Sequence, residues 1–153
     1  MRWKLVTWLT IQATNMSDWL LRKRKWTWTA EDYRSLEHGT IGKELISYMD
    51  ANAIPFKPNL VRHDLKHIVL GYKMNMPDEL RIHAFLIGNR CYNPMAMIYL
   101  FLCIAIVPEI IPTLKKDFYR GRKSICLRKI HFEKHITENL NQFQKSWGLE
   151  PEF

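Results

Sequence analysis

Apolar residues recur along this chain at intervals of three and four, the spacing that places them on one face of an α-helix. The stretch 41–49 is typical, and its apolar face is made of Ile41, Leu45, Ile46 and Met49. No stretch of similar length alternates apolar and polar residues as a β-strand does, although 124–130 is ambiguous. The pattern predicts an all-α fold, and 153 residues fit a single helical domain over 1–153.

Residues that typically start and stop helices divide this pattern into elements. The "TAED" that begins at Thr29 matches a capping box, which marks a helix start. A helix over 60–70 would end at Gly71, since glycine suits the left-handed position after a helix. Pro77 suits the first position of the next helix, which we expect to end at Gly88.

Both ends of the chain predict further helices. A short N-terminal helix would have a face that includes Trp3, Val6 and Ile11. In the second half, an apolar helix begins at Met95, a continuation covers 111–116, and a turn follows at 120–122. A last helix, ended by Gly148, would carry apolar residues at Phe132, Ile136, Leu140, Phe143 and Trp147.

The most apolar stretch is Met95–Val107. It is shorter than the roughly 18 to 20 residues that span a bilayer as a helix, and Pro108 and Glu109 interrupt it. The stretch is therefore expected to form a buried helix or the wall of an apolar pocket. A transmembrane helix that runs on to Ile111 is the alternative.

The charge of the chain changes this picture by adding a class of partner. The formal net charge is +8, which attracts either nucleic acid or an anionic membrane surface. The densest basic run is 22–25, and Trp19, Trp26 and Trp28 surround it, a combination that suits lipid headgroups or single-stranded nucleic acid. A solvated basic turn with its tryptophans in the core is the plain alternative. No nucleic-acid motif of fixed spacing is present, and 3 cysteines without a C-x-x-C pair favour a reducing compartment.

Candidate metal chemistry lies in "VRHDLKHIVLGYKMNMPDE", 61–79. His63 and His67 are four residues apart, so one helical face presents both imidazoles to a cation. On a straight helix Glu79 would lie about 18 Å beyond His67. The break at Gly71 lets the next helix fold back antiparallel, which would bring Glu79 to the histidines. Asp64 is expected at the edge of the site, as a ligand or as a group that orients an imidazole.

Two simpler interpretations compete with a metal site. Glu79 in a first helical turn stabilises the helix dipole without any metal, and two histidines four residues apart also arise by chance. A second histidine pair, His131 and His135, has the same spacing, but no chain reversal brings a third ligand to it. We expect that second pair to be mostly solvated.

At these residues the sequence resembles the coenzyme Q (ubiquinone) biosynthesis family Coq-four. The family pattern H-D-x-x-H, eleven residues and E is matched here by His63, Asp64, His67 and Glu79. Four more segments resemble the family in the same order, namely "GTIGKELISYM", "EIIP", "GRKSIC" and "FEKHITENLNQFQKSWGL". The resemblance covers about Gly39–Leu149.

The resemblance implies an all-α, cytoplasmic protein, peripheral to a membrane, that handles polyprenylated hydroxybenzoate precursors of ubiquinone. It implies either a metal-dependent enzyme, an oxidative decarboxylase or lyase that replaces the ring carboxylate with a hydroxyl, or a non-catalytic scaffold or prenyl-lipid-binding protein. The implied cofactor is a divalent cation, zinc or another first-row metal, bound by His63, Asp64, His67 and Glu79.

A metal-dependent hydrolase is a further alternative that this ligand set permits. H-D-x-x-H lacks the glutamate base of H-E-x-x-H proteases, which counts against proteolysis. The expected partners are a polyprenylated quinone precursor, an anionic membrane surface such as a bacterial inner membrane, other proteins of ubiquinone biosynthesis and, as a homodimer, a second copy of the chain. Nucleic acid is not an expected partner.

Overall fold

The structure is a computed structural model that describes residues 2–21, 26–92 and 94–149. Across those residues no β-strand is present, and the only strand-like pairing is an isolated bridge between Thr40 and Asn139. The all-α prediction is confirmed. The basic run 22–25 and the side chain of Trp19 lie outside the described part. In chain order the helices are α1 (Arg2–Leu21), α2 (Ala30–Arg34), α3 (Ile41–Ala51), α4 (Val61–Leu70), α5 (Met76–Gly88), α6 (Pro94–Ile106), α7 (Ile111–Lys123) and α8 (Leu140–Trp147).

The chain forms two compact units, each made of two separate stretches of sequence. The first unit contains residues 1–17 and 72–130, and the second unit contains 18–71 and 131–153. The prediction of one domain over the whole chain stays a prediction.

The first unit has a core to which α1, α5, α6 and α7 each contribute. Val6 of α1 and Leu80 of α5 are fully buried there, together with Cys103 of α6. A hydrogen bond of 2.5 Å between the Thr10 and Tyr99 hydroxyls joins α1 to α6 inside this core. Burial of apolar side chains therefore fixes the position of α5 within the first unit.

The second unit is closed by backbone hydrogen bonds between residues far apart in sequence. Ile41 N–H donates to the Glu138 carbonyl at 2.9 Å, and Gly42 N–H donates to the Ile136 carbonyl at 2.8 Å. The Gln144 side chain donates to the carbonyl of Val69 at 2.9 Å. These bonds join α3 and α4 to the 131–149 stretch.

Several predicted helix signals are confirmed. Thr29 and Asp32 form the capping box, and burial covers the whole predicted apolar face of α3. Gly71 ends α4 in the left-handed conformation at φ 76°, and Gly148 ends α8 in the same way at φ 59°.

Three predicted boundaries are wrong. The turn at 120–122 lies inside α7, because Gly121 serves close packing rather than chain reversal. The last helix begins only at Leu140. Phe132 is buried, but it belongs to the 3-10 turn Phe132–Lys134 that comes before this helix. The α5 helix begins at Met76, one residue before Pro77, because Asn75 caps it.

Two helices, α6 and α1, expose apolar residues of their predicted faces. On α6 the exposed fractions of Met95, Ile98, Phe101 and Leu102 run from 48% to 61%. On α1, Val6 is buried, but Trp3 and Ile11 of the predicted face are exposed. Neither helix is a core element on all sides.

The α6 helix ends at Ile106, just before Pro108, as the interruption of the apolar stretch predicted, and the alternative of one helix that runs on to Ile111 is wrong. Within the described residues no single helix is long and apolar enough to cross a membrane. The pair Pro94–Ile106 and Pro108–Lys123 is, taken together, long and apolar enough to span a bilayer. The two helices are bent by 108° relative to each other.

Candidate metal centre

The α4 helix places two histidines side by side. His63 and His67 lie four residues apart, and their ring centroids are 4.9 Å from each other. The helix is anchored by its buried apolar face, which includes Val61, Leu65 and Val69. His67 is buried and His63 is half-buried, so both rings are largely removed from water.

The α5 helix places Glu79 in its first turn. The Asn75 side chain accepts a hydrogen bond from Asp78 N–H at 3.0 Å, and the Asn75 carbonyl accepts one from Glu79 N–H at 2.9 Å. The positive end of the helix dipole stabilises a carboxylate at this position. Only 18% of the Glu79 side chain is exposed, so the carboxylate lies in partly dry surroundings.

The structure brings these three predicted residues together. One ring nitrogen each of His63 and His67 and one carboxylate oxygen of Glu79 all lie within 4.8 Å of one another. Together they form a possible metal-binding triad. The role of each residue as a metal ligand, and the antiparallel arrangement of α4 and α5, stay predictions.

Asp64 occupies a different position from the triad. Its Oδ1 atom lies 3.6 Å from Nδ1 of His63, and 17% of its side chain is exposed. Among the described residues, the group whose ligand atoms converge contains no Asp64. The carboxylate therefore borders the His63 ring, where sequence reasoning had allowed either a ligand or an orienting group.

His83 is a residue of this site that sequence reasoning missed. It lies one helical turn after Glu79, with its Nε2 atom 3.4 Å from Oε1 of that carboxylate. Its ring centroid is 5.3 Å from that of Tyr99, and burial raises the pKa of the Tyr99 hydroxyl above its ordinary range. The signal was present in the sequence, since Glu79 and His83 have the i, i+4 spacing of neighbours on a helix face.

The second histidine pair belongs to a different environment. His131 is exposed, while His135 is half-buried, with its ring centroid 5.1 Å from that of Phe143. His135 also contacts Glu138 at 2.8 Å. The expectation of a mostly solvated pair is therefore right for His131 and wrong for His135.

A family model for coenzyme Q (ubiquinone) biosynthesis protein Coq4 matches residues 61–152 of this chain. The match begins with α4, whereas the likeness noted in the sequence began at Gly39. No curated protein is significantly similar to the sequence.

One solved structure with a similar fold is a protein from Nostoc punctiforme PCC 73102, described as a candidate for ubiquinone biosynthesis. The TM-score is 0.60 at 16% identity, and the alignment covers 95% of this chain and 81% of that one. At that identity the likeness shows the fold alone.

Proposed function

This chain belongs to the coenzyme Q (ubiquinone) biosynthesis family Coq4, and we propose that it acts on a polyprenylated hydroxybenzoate precursor of ubiquinone at a divalent metal ion. The family supports a role in ubiquinone biosynthesis, and the structural neighbour supports the fold. The observation that carries the metal-dependent part of the proposal is the triad His63, His67 and Glu79, with ligand atoms within 4.8 Å of one another.

The donor set of the triad fits zinc or another first-row divalent metal, because imidazole nitrogen and carboxylate oxygen are common ligands of those ions. In a tetrahedral site with bonds of about 2.1 Å, the ligand atoms are about 3.4 Å apart. Small side-chain rotations would close the three groups on one ion. Three protein ligands also leave a coordination position open for a substrate oxygen, as catalytic zinc sites do.

Two further side chains support the triad residues. Asp64 Oδ1 lies 3.6 Å from His63 Nδ1, so it would orient that ring and select the nitrogen that faces the ion. His83, 3.4 Å from Glu79, is placed in the same way beside the carboxylate. In this proposal His63, His67 and Glu79 bind the ion, and Asp64 joins them as an orienting group.

The proposed reaction replaces the ring carboxylate of the precursor with a hydroxyl. The bond between ring and carboxylate breaks, carbon dioxide leaves, and the ring carbon gains one oxygen atom. This exchange is a two-electron oxidation of the precursor. With dioxygen as the co-substrate, one oxygen atom becomes the ring hydroxyl and the other leaves as water, which takes two further electrons and two protons from an external reductant. A bound divalent cation supplies positive charge that favours the carboxylate and the negative charge that develops nearby. His63 and His67 fix the position of that charge, and Glu79 lowers its net value.

We also propose that the protein binds peripherally to an anionic membrane surface, such as the cytoplasmic face of a bacterial inner membrane. The support is an exposed apolar side of α6, which includes Phe101 and Leu102 at 61% and 50% exposure. On α1, in the same unit, Trp3 and Trp8 are exposed at 38% and 55%. Tryptophan suits the headgroup layer, and the net charge of +8 favours anionic lipid. The prenyl tail of the precursor would then lie along α6.

The proposal is tested in a ubiquinone-deficient strain that receives either the wild-type chain or a Glu79→Gln variant. Glu37→Gln is a matched control, because Glu37 is an exposed glutamate outside the triad. Both variants are first checked for folding and for membrane association. If the triad is catalytic, the wild type and Glu37→Gln restore quinone, while Glu79→Gln accumulates the carboxylated precursor.

The same experiment distinguishes an enzyme from a non-catalytic scaffold or prenyl-lipid carrier. Restoration of quinone by a folded Glu79→Gln variant would instead favour a scaffold or a prenyl-lipid carrier, in which the triad serves only structure. Failure of the wild type to restore quinone would reject the proposed role in this strain.

A further inference from the structure

Two cysteines of the first unit lie close together. The Sγ atoms of Cys91 and Cys126 are 4.0 Å apart, and both residues are half-buried cysteines in the thiol form. Cys91 follows the end of α5, and Cys126 follows the end of α7. Cys126 belongs to the "GRKSIC" segment, which the proposed reaction leaves without a role.

The backbone around these thiols is fixed by one buried side chain. The Asn89 amide, at the end of α5, donates to the carbonyls of Gly121 and Ile125 at 3.0 and 2.8 Å. Its Oδ1 atom accepts a hydrogen bond from Leu127 N–H at 2.9 Å. These bonds tie the chain on both sides of Cys126 to a residue two positions before Cys91. The nearness of the two sulfurs therefore rests on a fixed backbone as well as on side-chain rotamers.

The third cysteine of the chain is placed very differently. Cys103 is fully buried in the core of the first unit, beside Tyr99. Burial raises the pKa of the Cys103 thiol, which lowers the thiolate fraction on which exchange chemistry depends. Cys103 is thus an internal reference for an unreactive thiol.

We propose that Cys91 and Cys126 are a redox pair that forms an intramolecular disulfide by exchange with a low-molecular-weight disulfide such as oxidised glutathione. A disulfide bond is about 2.04 Å long, so the sulfurs must approach by about 2 Å, which side-chain rotation about χ1 supplies. The bond would link the end of α5 to the segment after α7. It would stabilise the first unit against opening of that junction.

The electron and proton balance of this exchange is complete. One cysteine thiolate attacks a sulfur of glutathione disulfide, breaks its S–S bond and releases one glutathione thiol. The second cysteine thiolate then attacks the protein sulfur of the mixed disulfide and releases the second glutathione. The two cysteines are oxidised by two electrons, glutathione disulfide is reduced, and the two cysteine protons end on the released thiols.

The test uses the full-length purified chain in buffers with a graded ratio of reduced to oxidised glutathione. Samples are alkylated in denaturant, and intact mass and peptide mapping identify the cysteines that escaped alkylation. We expect a monomeric product that lacks two hydrogens, a Cys91–Cys126 cross-linked peptide and alkylated Cys103. The oxidised form is expected to have a higher Tm than the reduced form.

Matched variants keep the proposal falsifiable. Cys103→Ser should still form the bond, while Cys91→Ser and Cys126→Ser should stop at the mixed disulfide with glutathione and lose the rise in Tm. Full alkylation of all three cysteines at an excess of oxidised glutathione would overturn the proposal. A cross-link that includes Cys103 or a second chain would also overturn it.

Discussion

Gly88 on α5 and Gly121 on α7 bring the backbones of their helices into direct contact. A Cβ atom added at Gly88 would lie 2.0 Å from the carbonyl oxygen of Phe118, and one added at Gly121 would lie 2.1 Å from that of Phe85. Both contacts are far shorter than van der Waals distance, and both are to backbone atoms that cannot rotate away. The two glycines therefore set the distance between α5, which carries Glu79, and α7.

We predict that Gly121→Ala lowers the free energy of unfolding by about 2 kcal/mol, because the added methyl group forces the helices apart. In an exposed helix interior the same change would stabilise the protein by roughly 1 kcal/mol, so the sign of the effect is diagnostic. Denaturant titration measures it. Gly148→Ala is the comparison, since its added Cβ would meet nothing within 4 Å and its φ of 59° adds only local backbone strain. A stable Gly121→Ala variant would contradict the close contact.

The metal site gives a second prediction. We expect the purified chain to contain about one divalent cation, and His67→Ala to lose it, because the variant removes one of the three proposed ligands. Elemental analysis after dialysis compares the two proteins with His131→Ala, which removes an exposed histidine outside the triad. Equal metal content in wild type and in a folded His67→Ala variant would reject the triad as the binding site.

The buried carboxylate of Asp117 gives a third prediction, which concerns stability. Asp117 accepts hydrogen bonds from the Tyr72 hydroxyl at 2.7 Å and from Arg81 Nε at 2.9 Å, and it is only 4% exposed. Arg81→Met leaves that charge without its cation, so we predict a loss of about 2 to 3 kcal/mol in the free energy of unfolding. Arg34→Met removes a comparable bond to Asp50 at the surface, and its effect on thermal or denaturant unfolding should be clearly smaller.

Alkaline pH is predicted to unfold the protein. Burial raises the pKa values of Tyr33, Tyr72 and Tyr99 above the ordinary 10.0. Above pH 10 the unfolded chain loses these protons while the folded chain retains them, so stability falls as pH rises, by about 1.4 kcal/mol per pH unit for each tyrosine. Below pH 10 these groups contribute no pH dependence.

Tyrosinate absorbance and circular dichroism, followed together against pH, test this expectation. Tyr99→Phe should reduce the loss of stability per pH unit above pH 10 by the contribution of one tyrosine. Thr10 retains its hydrogen bond to the Val6 carbonyl at 2.9 Å in this variant. Ionisation of all tyrosines near pH 10 with the fold intact would show that these side chains are not buried.

The last prediction concerns the apolar side of α6. Phe101→Gln and Leu102→Gln together should lower binding to vesicles that contain anionic lipid several-fold, because each change removes apolar area that inserts into the headgroup layer. Co-sedimentation measures the bound fraction, and Ile125→Gln, outside α1 and α6, is the control. Unchanged binding of the double variant would exclude this side of α6 from the membrane contact.

The local signals of the sequence predicted the triad because they are short-range. The i, i+4 spacing of His63 and His67 fixes their common face, and Gly71 with Pro77 predicted the helix break before Glu79. No family resemblance was needed to suspect these three residues. The position of Asp64 was left open because a residue at the edge of a helix face can turn toward either side.

The errors arose where tertiary packing decides the outcome. Glycine is common in turns, so Gly121 was interpreted as a turn residue. Its missing side chain instead allows close contact with α5, and no local sequence pattern reveals such a contact. Phe132 and Ile136 are buried at helical spacing without a continuous helix, because long-range bonds such as Gly42 N–H to the Ile136 carbonyl hold that segment. The stretch that forms α6 was predicted to be a buried helix or the wall of an apolar pocket, since hydrophobicity alone does not distinguish buried apolar residues from an exposed apolar surface.

The division of each unit into two separate stretches has a consequence for synthesis of the protein. Residues 18–71 leave the ribosome well before residues 131–149, and at about 5 to 20 residues per second the delay is roughly 3 to 12 seconds. During that interval the backbone N–H groups of Ile41 and Gly42, at the start of α3, lack the carbonyls of Glu138 and Ile136 to which they donate in the folded unit. The nascent second unit therefore lacks these bonds during the interval, and slow translation of residues 131–149 prolongs its exposure to aggregation.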